Sequence, residues 1–255
     1  MLLAIDVGNT NSVFSVLEGK EIISEWRSST DGKMTSDQYY IWLQQLFLLQ
    51  GILPNQIKRV VISSVVPDAT FNLKLLAKNY FQSKALVVGS SSCKLPMLVK
   101  VDSGVYVGAD RIVNAVATFK LFGGNTAIVD FGTATTFDVI DDSGSYVGGV
   151  ISPGVDLANK ALPRAAAALP NVEVKRPKQV IGKNTIDCMQ SGIYWGYLSL
   201  VEGVISKIKN ERNIARVVAT GGLARVFSRD TTVFDHIDLK LTIKGLSFIS
   251  EFNKE

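Results

Sequence analysis

Histidine and cysteine are nearly missing from this chain. Its 255 residues hold one histidine, His236, and two cysteines, Cys93 and Cys188. Two cysteines cannot build a disulfide framework; they fit a reducing compartment, so a cytoplasmic setting is expected. A lone histidine cannot gather a His/Cys metal cluster, and a structural role is expected for His236. Long apolar runs are missing as well: none approaches the roughly 20 residues of a membrane span. No basic segment precedes the first apolar run and Asp6 interrupts it, so neither a secretory leader nor a membrane partner is expected. Low-complexity segments and long linkers are absent. What remains is an ordinary globular composition, 47% hydrophobic and 20% charged, long enough for one large domain or two small ones. The net charge of +4 and the pI near 9.0 are compatible with anionic substrates. The densest basic stretch, Lys175-Arg176-Pro177-Lys178, is short and fits a solvated loop. With no helix-turn-helix or basic recognition helix in view, nucleic acid is not an expected partner.

The hydrophobic pattern alternates strands with helices. Leu2 to Asp6 reads as a strand, and Ser12–Leu17 and Glu21–Arg27 as a hairpin about Glu18-Gly19-Lys20. A helix is expected over Ser36–Gln50, with Tyr39, Leu43, Leu46 and Phe47 on one face and Gly51 ending it. Arg59–Ser64 reads as a buried strand. Pro67 opens a helix carrying Phe71, Leu75 and Leu76, and Ala85–Val88 is a short strand. Gly108–Leu121 reads as a helix with Ile112, Val116 and Phe119 along one face. Gly123-Gly124 marks a boundary, predicting an N-terminal lobe over 1–122 and a C-terminal lobe over 123–255. Beyond it the opening order returns: strands at 125–130, 135–140 and 145–151, then helices at 155–168 and Thr185–Lys209, a strand at Ala215–Ala219, and further alternation to the end. The pattern predicts an α/β architecture with internal duplication.

Two segments of this duplicated pattern carry the same chemistry. Asp6-Val7-Gly8-Asn9-Thr10-Asn11 and Asp130-Phe131-Gly132-Thr133-Ala134-Thr135-Thr136 each end an apolar strand in Asp-x-Gly followed by hydroxyl or amide residues. Backbone N–H groups and hydroxyls beside a carboxylate suit a polyphosphate with its Mg²⁺, with Asp6 acting on Mg²⁺ through water. Gly8 allows close backbone approach and a positive φ. A lone Asp-x-Gly also reads as a simple Asx turn, and the threonines as strand formers; recurrence in both halves favours phosphate and suggests two lobes gripping one nucleotide. Gly108-Ala109-Asp110-Arg111 opens a helix. There Asp110 is either a first-turn carboxylate favoured by the helix dipole or a general base, and Arg111 could clamp an anion. Thr220-Gly221-Gly222 could lie against a nucleoside. Gly148-Gly149…Ser152-Pro153-Gly154 permits close approach of ligand or chain. In Gly182-Lys183-Asn184-Thr185, Thr185 reads as a helix N-cap.

Together these segments resemble the type III pantothenate kinases, of the superfamily that includes acetate and sugar kinases, heat-shock ATPases and actin. The likeness runs from Asp6 to Gly222. It implies a duplicated ribonuclease H-like (actin-like ATPase) fold, with two lobes of mixed five-stranded sheets flanked by helices. It further implies ATP-dependent phosphorylation of pantothenate, the first step of coenzyme A synthesis, by a homodimer with shared active sites. Carried over by motif, Asp6, Val7, Gly8, Asn9, Thr10, Asn11, Ser12 and Val13 form the first ATP-phosphate loop, and Thr133 contacts ATP. Asp110 accepts the hydroxyl proton, and Gly108, Ala109, Asp110 and Arg111 contact pantothenate. Asp130 holds a monovalent cation, K⁺ or NH₄⁺, and Thr185 reaches pantothenate across the dimer. The chain departs from the family pattern ahead of Gly108: Val101 stands at a usual tyrosine of the substrate wall, and Ser103-Gly104 replaces Asn-Pro, with Tyr106 a candidate to supply the lost contact. The alternative class is a transcriptional accessory factor of the same fold without kinase activity.

Overall fold

The computed structural model of the chain describes residues 1–165 and 169–254. It divides into two compact units: Met1–Leu98 with Asp102–Ala117 and Lys240–Glu255, and Val99–Val101 with Thr118–Leu239.

The first unit is built on a five-stranded sheet in the order β3-β2-β1-β4-β5. Its strands are β1 (Leu2–Val7), β2 (Asn11–Glu18), β3 (Glu21–Ser29), β4 (Arg59–Ser64) and β5 (Leu86–Val87). β1, β2 and β3 form an antiparallel meander, whereas β4 and β5 run parallel to β1. Parallel neighbours require crossovers. Helix α1 (Ser36–Leu49) supplies the first and α2 (Pro67–Phe81) the second. Helix α1 starts from a capping box in which Thr35 and Gln38 satisfy each other's backbone N–H groups. Its expected face is buried at Tyr39, Leu43 and Phe47. On α2 the buried residues are Ala69, Leu73, Leu76, Ala77 and Phe81, while the expected Phe71 is exposed. Ala69 and Ala77 share that face with the larger side chains, and a reading that weighs only large side chains overlooks them.

The second unit repeats this topology. Its sheet has the order β10-β9-β6-β7-β8, from β6 (Thr126–Phe131), β7 (Ala134–Ile140), β8 (Tyr146–Pro153), β9 (Arg216–Gly221) and β10 (His236–Ile237). Again three strands form a meander and two lie parallel. The core under this sheet is held by α5 (Thr185–Glu211), through Ile193, Tyr194, Tyr197, Leu198, Val201 and Ile205. On α5, Met189, Ile193 and Ile208 are buried, but Ile186 is exposed. Helix α4 (Val155–Ala165) precedes α5; its expected last turn, 166–168, lies outside the described residues. Helix α3 (Ala109–Phe122) links β5 to β6, and α6 (Ala224–Phe227) is one turn between β9 and β10.

The units do not follow the expected division at 122/123. The C-terminal helix α7 (Leu241–Phe252) returns to the first unit. Arg59 at the start of β4 donates to the Ser250 carbonyl and hydroxyl at 3.2 and 3.0 Å. Gly245 of α7 meets the Val113 carbonyl of α3 so closely that a Cβ there would overlap it. Chain order alone does not show such a return. Among the described residues, no helix is long and apolar enough to cross a membrane.

Two glycine substitutions should therefore act in opposite directions in thermal melts. Gly245→Ala should destabilise by about 2–3 kcal/mol through overpacking. Gly203→Ala, on α5 where a Cβ meets nothing within 4 Å, should stabilise by about 0.5–1 kcal/mol through helix propensity. A neutral Gly245→Ala would remove the close α7–α3 contact from the account.

Candidate active site

In the first unit, Asp6 lies at the carboxyl end of β1, opposite Val13 of β2 and Ser63 of β4. The Gly8 N–H donates to the Asn11 carbonyl at 3.0 Å, which closes the turn and leaves Asn9, Thr10 and Asn11 exposed at its tip. The expected positive φ is not found at Gly8. A Cβ there would stand 3.3 Å from the Asn11 carbonyl oxygen, a tight approach that glycine relieves. Val7 and Ser12 are buried. The Ser12 hydroxyl is engaged with Thr30 Oγ1 at 2.8 Å, and Thr30 also donates to the Gly8 carbonyl at 2.7 Å. Ser12 and Thr30 therefore brace the turn from beneath.

Burial pushes the Asp6 carboxyl up to about 6, with the negative charge of Asp110 adding to the rise. The Ser63 hydroxyl lowers it in part, yet that hydroxyl is buried and closes no hydrogen bond of full geometry. Asp110, in the first turn of α3, is half-buried and accepts from the Arg111 N–H at 2.9 Å. Its carboxylate curls over Gly108, where a Cβ would sit 2.6 Å from Asp110 Oδ1. The first unit thus brings together Asp6, Ser63 and Asp110. Ser63 is the member that sequence reasoning missed; the signal was the β1–β4 register.

The second unit repeats the frame with different neighbours. Asp130 lies opposite Thr136 of β7 and Thr220 of β9. The Gly132 N–H donates to the Ala134 carbonyl at 3.1 Å, and the Gly154 N–H donates to the Thr133 carbonyl at 3.1 Å. Of the three threonines, Thr133 is exposed, while Thr135 is buried. The Tyr197 hydroxyl hydrogen-bonds Thr135 Oγ1 and the Pro153 carbonyl, each at 2.6 Å, and Thr136 donates to Asp138 at 3.0 Å. Thr135 and Thr136 are therefore engaged within the unit. Gly221, at φ +88°, faces the Asp130 loop: a Cβ would stand 2.7 Å from Asp130 Oδ1 and 2.5 Å from the Phe131 carbonyl oxygen. Gly222 has open space about it.

Three other expected positions also fall in the second unit. Val101 is half-buried beside the bridge between Val99 and Tyr146, so the division falls between it and Gly108–Arg111. Thr185 is exposed, and it is not the N-cap: Asn184 holds that position, its side chain accepting from the Asp187 N–H at 2.9 Å. Thr185 instead lines an open cavity of about 700 Å³ with Leu169, Lys183, Cys188 and Met189. His236 stacks on Phe122, ring centroids 4.7 Å apart, a packing role as expected.

The irregular segment leading to Thr185 is fastened at several points. Asn159 donates to the Val172 carbonyl at 2.6 Å and Ser191 to that of Val180. Arg176 forms an ion pair with Asp230 at 2.8 Å and lies over Trp195. Tyr194 hydrogen-bonds the same carboxylate at 2.6 Å, and burial followed by that bond pushes its phenol up to about 12. The basic stretch is thus a docked loop.

The oxygen sets suit hard cations. Asp6 and Ser63, near Asp110, bring carboxylate and hydroxyl oxygens of the kind a divalent cation takes. Asp130 Oδ1 and the Phe131 carbonyl, clustered at Gly221, form a second set of hard oxygen atoms.

Two mixed sheets of the same order, each with an Asp-x-Gly turn at the carboxyl end of its first strand, define a duplicated ribonuclease H-like fold, the class of the actin-like ATPases. Solved structures agree in fold. A protein described as a Baf family transcriptional activator from Campylobacter jejuni gives a TM-score of 0.61 at 18% identity, covering 98% of each chain. The activator of the 2-hydroxyisocaproyl-CoA dehydratase from Clostridium difficile, with bound ADPNP, gives 0.56 at 14% identity, covering 99% of this chain and 93% of that one. Sequence narrows the class. The family model for type III pantothenate kinase matches residues 2–207. Type III pantothenate kinases of Cereibacter sphaeroides and Dinoroseobacter shibae are each 52% identical to this chain over its whole length, covering 99% and 100% of their own. The chain belongs to the type III pantothenate kinase family.

The docked loop makes a pH prediction. The Asp230 carboxyl is held below its usual value, first by the Arg176 hydrogen bond and then by Tyr194. A depressed carboxylate contributes stability above its unfolded pKa and loses it as pH falls through the folded value. Asp230→Asn should therefore melt a few degrees below wild type at pH 7 and 5, with the gap closing only below about pH 4. A gap that closes between pH 7 and 5 would assign the stabilisation to another group.

Proposed function

We propose that this chain transfers the γ-phosphoryl group of ATP to the primary hydroxyl of pantothenate, giving 4'-phosphopantothenate, the first step of coenzyme A biosynthesis. The observation that carries the reading is the carboxylate pair of the first unit: Asp6 at the end of β1 feels the charge of Asp110 at the start of α3. One carboxylate belongs to a phosphate-type turn and the other to the helix start identified with the acceptor. The family match and the full-length relatives give the substrate its name.

In this mechanism the turn Asp6–Val13 positions the phosphates through its backbone N–H groups and the exposed Asn9, Thr10 and Asn11, and Thr133 contacts ATP. Phosphoryl transfer depends on positioning and charge neutralisation more than on covalent help. Asp6 would hold Mg²⁺ through water, and the ion would supply that neutralisation. Asp110 accepts the hydroxyl proton as the new O–P bond forms. Its contact with the Arg111 N–H keeps the carboxylate oriented. Gly108 leaves room for it, and the Arg111 fork pairs with the carboxylate of pantothenate. Asp130 holds K⁺ or NH₄⁺. We further assign Val101 to the substrate wall, the lobe functions to the two halves of the chain, and a cytoplasmic setting to the reaction. The proposed assembly is a homodimer in which Thr185 reaches pantothenate of the partner's site. Supporting this, Ile181 and Ile186 are exposed beside the open cavity at Thr185.

A coupled assay with and without pantothenate tests the reading: ADP release should depend on pantothenate. Asp110→Asn should lower kcat by roughly 10²-fold or more, and near-normal turnover would refute its role as base. Replacing K⁺ and NH₄⁺ by Na⁺ should abolish most of the activity; unchanged turnover would count against a monovalent cation at Asp130.

A further inference from the structure

Tyr106 is a large aromatic residue that the proposed mechanism does not use. Its side chain is 70% exposed, two residues ahead of the glycine that opens α3. It is not loose on the surface. The phenol end of the ring rests on Gly89, where a Cβ would stand 3.3 Å from the Tyr106 hydroxyl oxygen and 3.4 Å from Cε2. Gly89, at φ +85°, directly follows Val88, whose N–H extends the β5 ladder to the Ile62 carbonyl at 2.9 Å.

This support fixes where the ring lies. β1, β4 and β5 run parallel, so their carboxyl ends share one edge of the first unit's sheet. Asp6 stands on that edge at the end of β1, and Gly89 stands on it past the end of β5. Asp110 is close enough for its charge to act on Asp6. In open α/β sheets, ligands bind outside the carboxyl ends of the strands. An apolar face is thus held on that edge, two residues ahead of the glycine that precedes α3.

The chemistry of the acceptor says what the ring meets. In pantothenate, the carbon bearing the reacting hydroxyl is bonded to a quaternary carbon with two methyl groups. With that hydroxyl in hydrogen-bond reach of Asp110, the wall beside Asp110 meets the methyls. We infer that Tyr106 is the specificity-determining residue of the acceptor site, its ring face laid against the geminal dimethyl carbon of the pantoyl group. This rests on the reading of the chain as a pantothenate kinase. The ring's contribution is apolar area, since its hydroxyl makes no hydrogen bond among the described residues.

The test is steady-state kinetics on wild type, Tyr106→Ala and Tyr106→Phe, with pantothenate and with an analogue lacking the two methyl groups. Exposure of the loop lets all three fold, which melting curves verify. Tyr106→Ala should raise KM for pantothenate about tenfold, the worth of two methyl groups kept from water, with kcat and KM for ATP within about twofold. Tyr106→Phe should match wild type. On the demethylated analogue the wild-type and alanine enzymes should converge. Three results overturn the inference: an unchanged KM for pantothenate in Tyr106→Ala, an equal rise in KM for ATP, or the same alanine penalty on both acceptors. If wild type itself does not phosphorylate pantothenate, the functional reading falls instead.

Discussion

The backbone hydrogen bond from the glycine of each Asp-x-Gly turn to the carbonyl three or two residues on is the constraint from which the sites follow. Gly8 donates to Asn11 and Gly132 to Ala134. Each bond reverses the chain between the first two strands of its sheet, and at each a Cβ would stand 3.3 Å from the accepting oxygen, so glycine keeps the turn tight without crowding. The reversal leaves Asp6 and Asp130 as the last ladder carboxylates, and it leaves the tip of each turn in solvent. A parallel strand on the other side then places a hydroxyl residue opposite each carboxylate, Ser63 and Thr220. One turn geometry, used twice, therefore prepares two hard-oxygen sites.

Their neighbours make the two sites different. At Asp6 the added group is the charge of Asp110, and the carboxyl rises to about 6. At Asp130 the added groups are the Phe131 carbonyl and the bare face of Gly221. A polyphosphate cannot approach the first pair unless positive charge comes with it. Duplication supplied the frame, and the residues around each frame divide the work.

Much of this was legible because its causes are local. Asp-x-Gly with small polar residues, the helix opening at Gly108 and the strand–helix alternation each follow from neighbouring residues. What escaped the sequence depends on chain segments far apart. Ser63 gains its place only from the β1–β4 register. The return of α7 to the first unit rests on Arg59 with Ser250 and on Gly245 with Val113, contacts that no window of sequence contains. Even Thr185 was misjudged by one position: Asn184 and Thr185 are both good caps, and only the backbone decides that Asn184 takes the role and leaves the Thr185 hydroxyl to the cavity.

That one-residue difference bears on how binding and chemistry are separated. Asp110 sits at a helix start and is held by its own first-turn N–H. Thr185 likewise starts a helix, but with its cap supplied by the preceding residue. A carboxylate bound to its own backbone is oriented before any substrate arrives, as a proton acceptor must be to contribute in the transition state. A hydroxyl released from capping can turn to meet what arrives, which suits a recognition contact. The same local motif, a polar residue at the first turn of a helix, is thus held by its own backbone in one unit and capped by its neighbour in the other. The difference lies in which atom satisfies the helix.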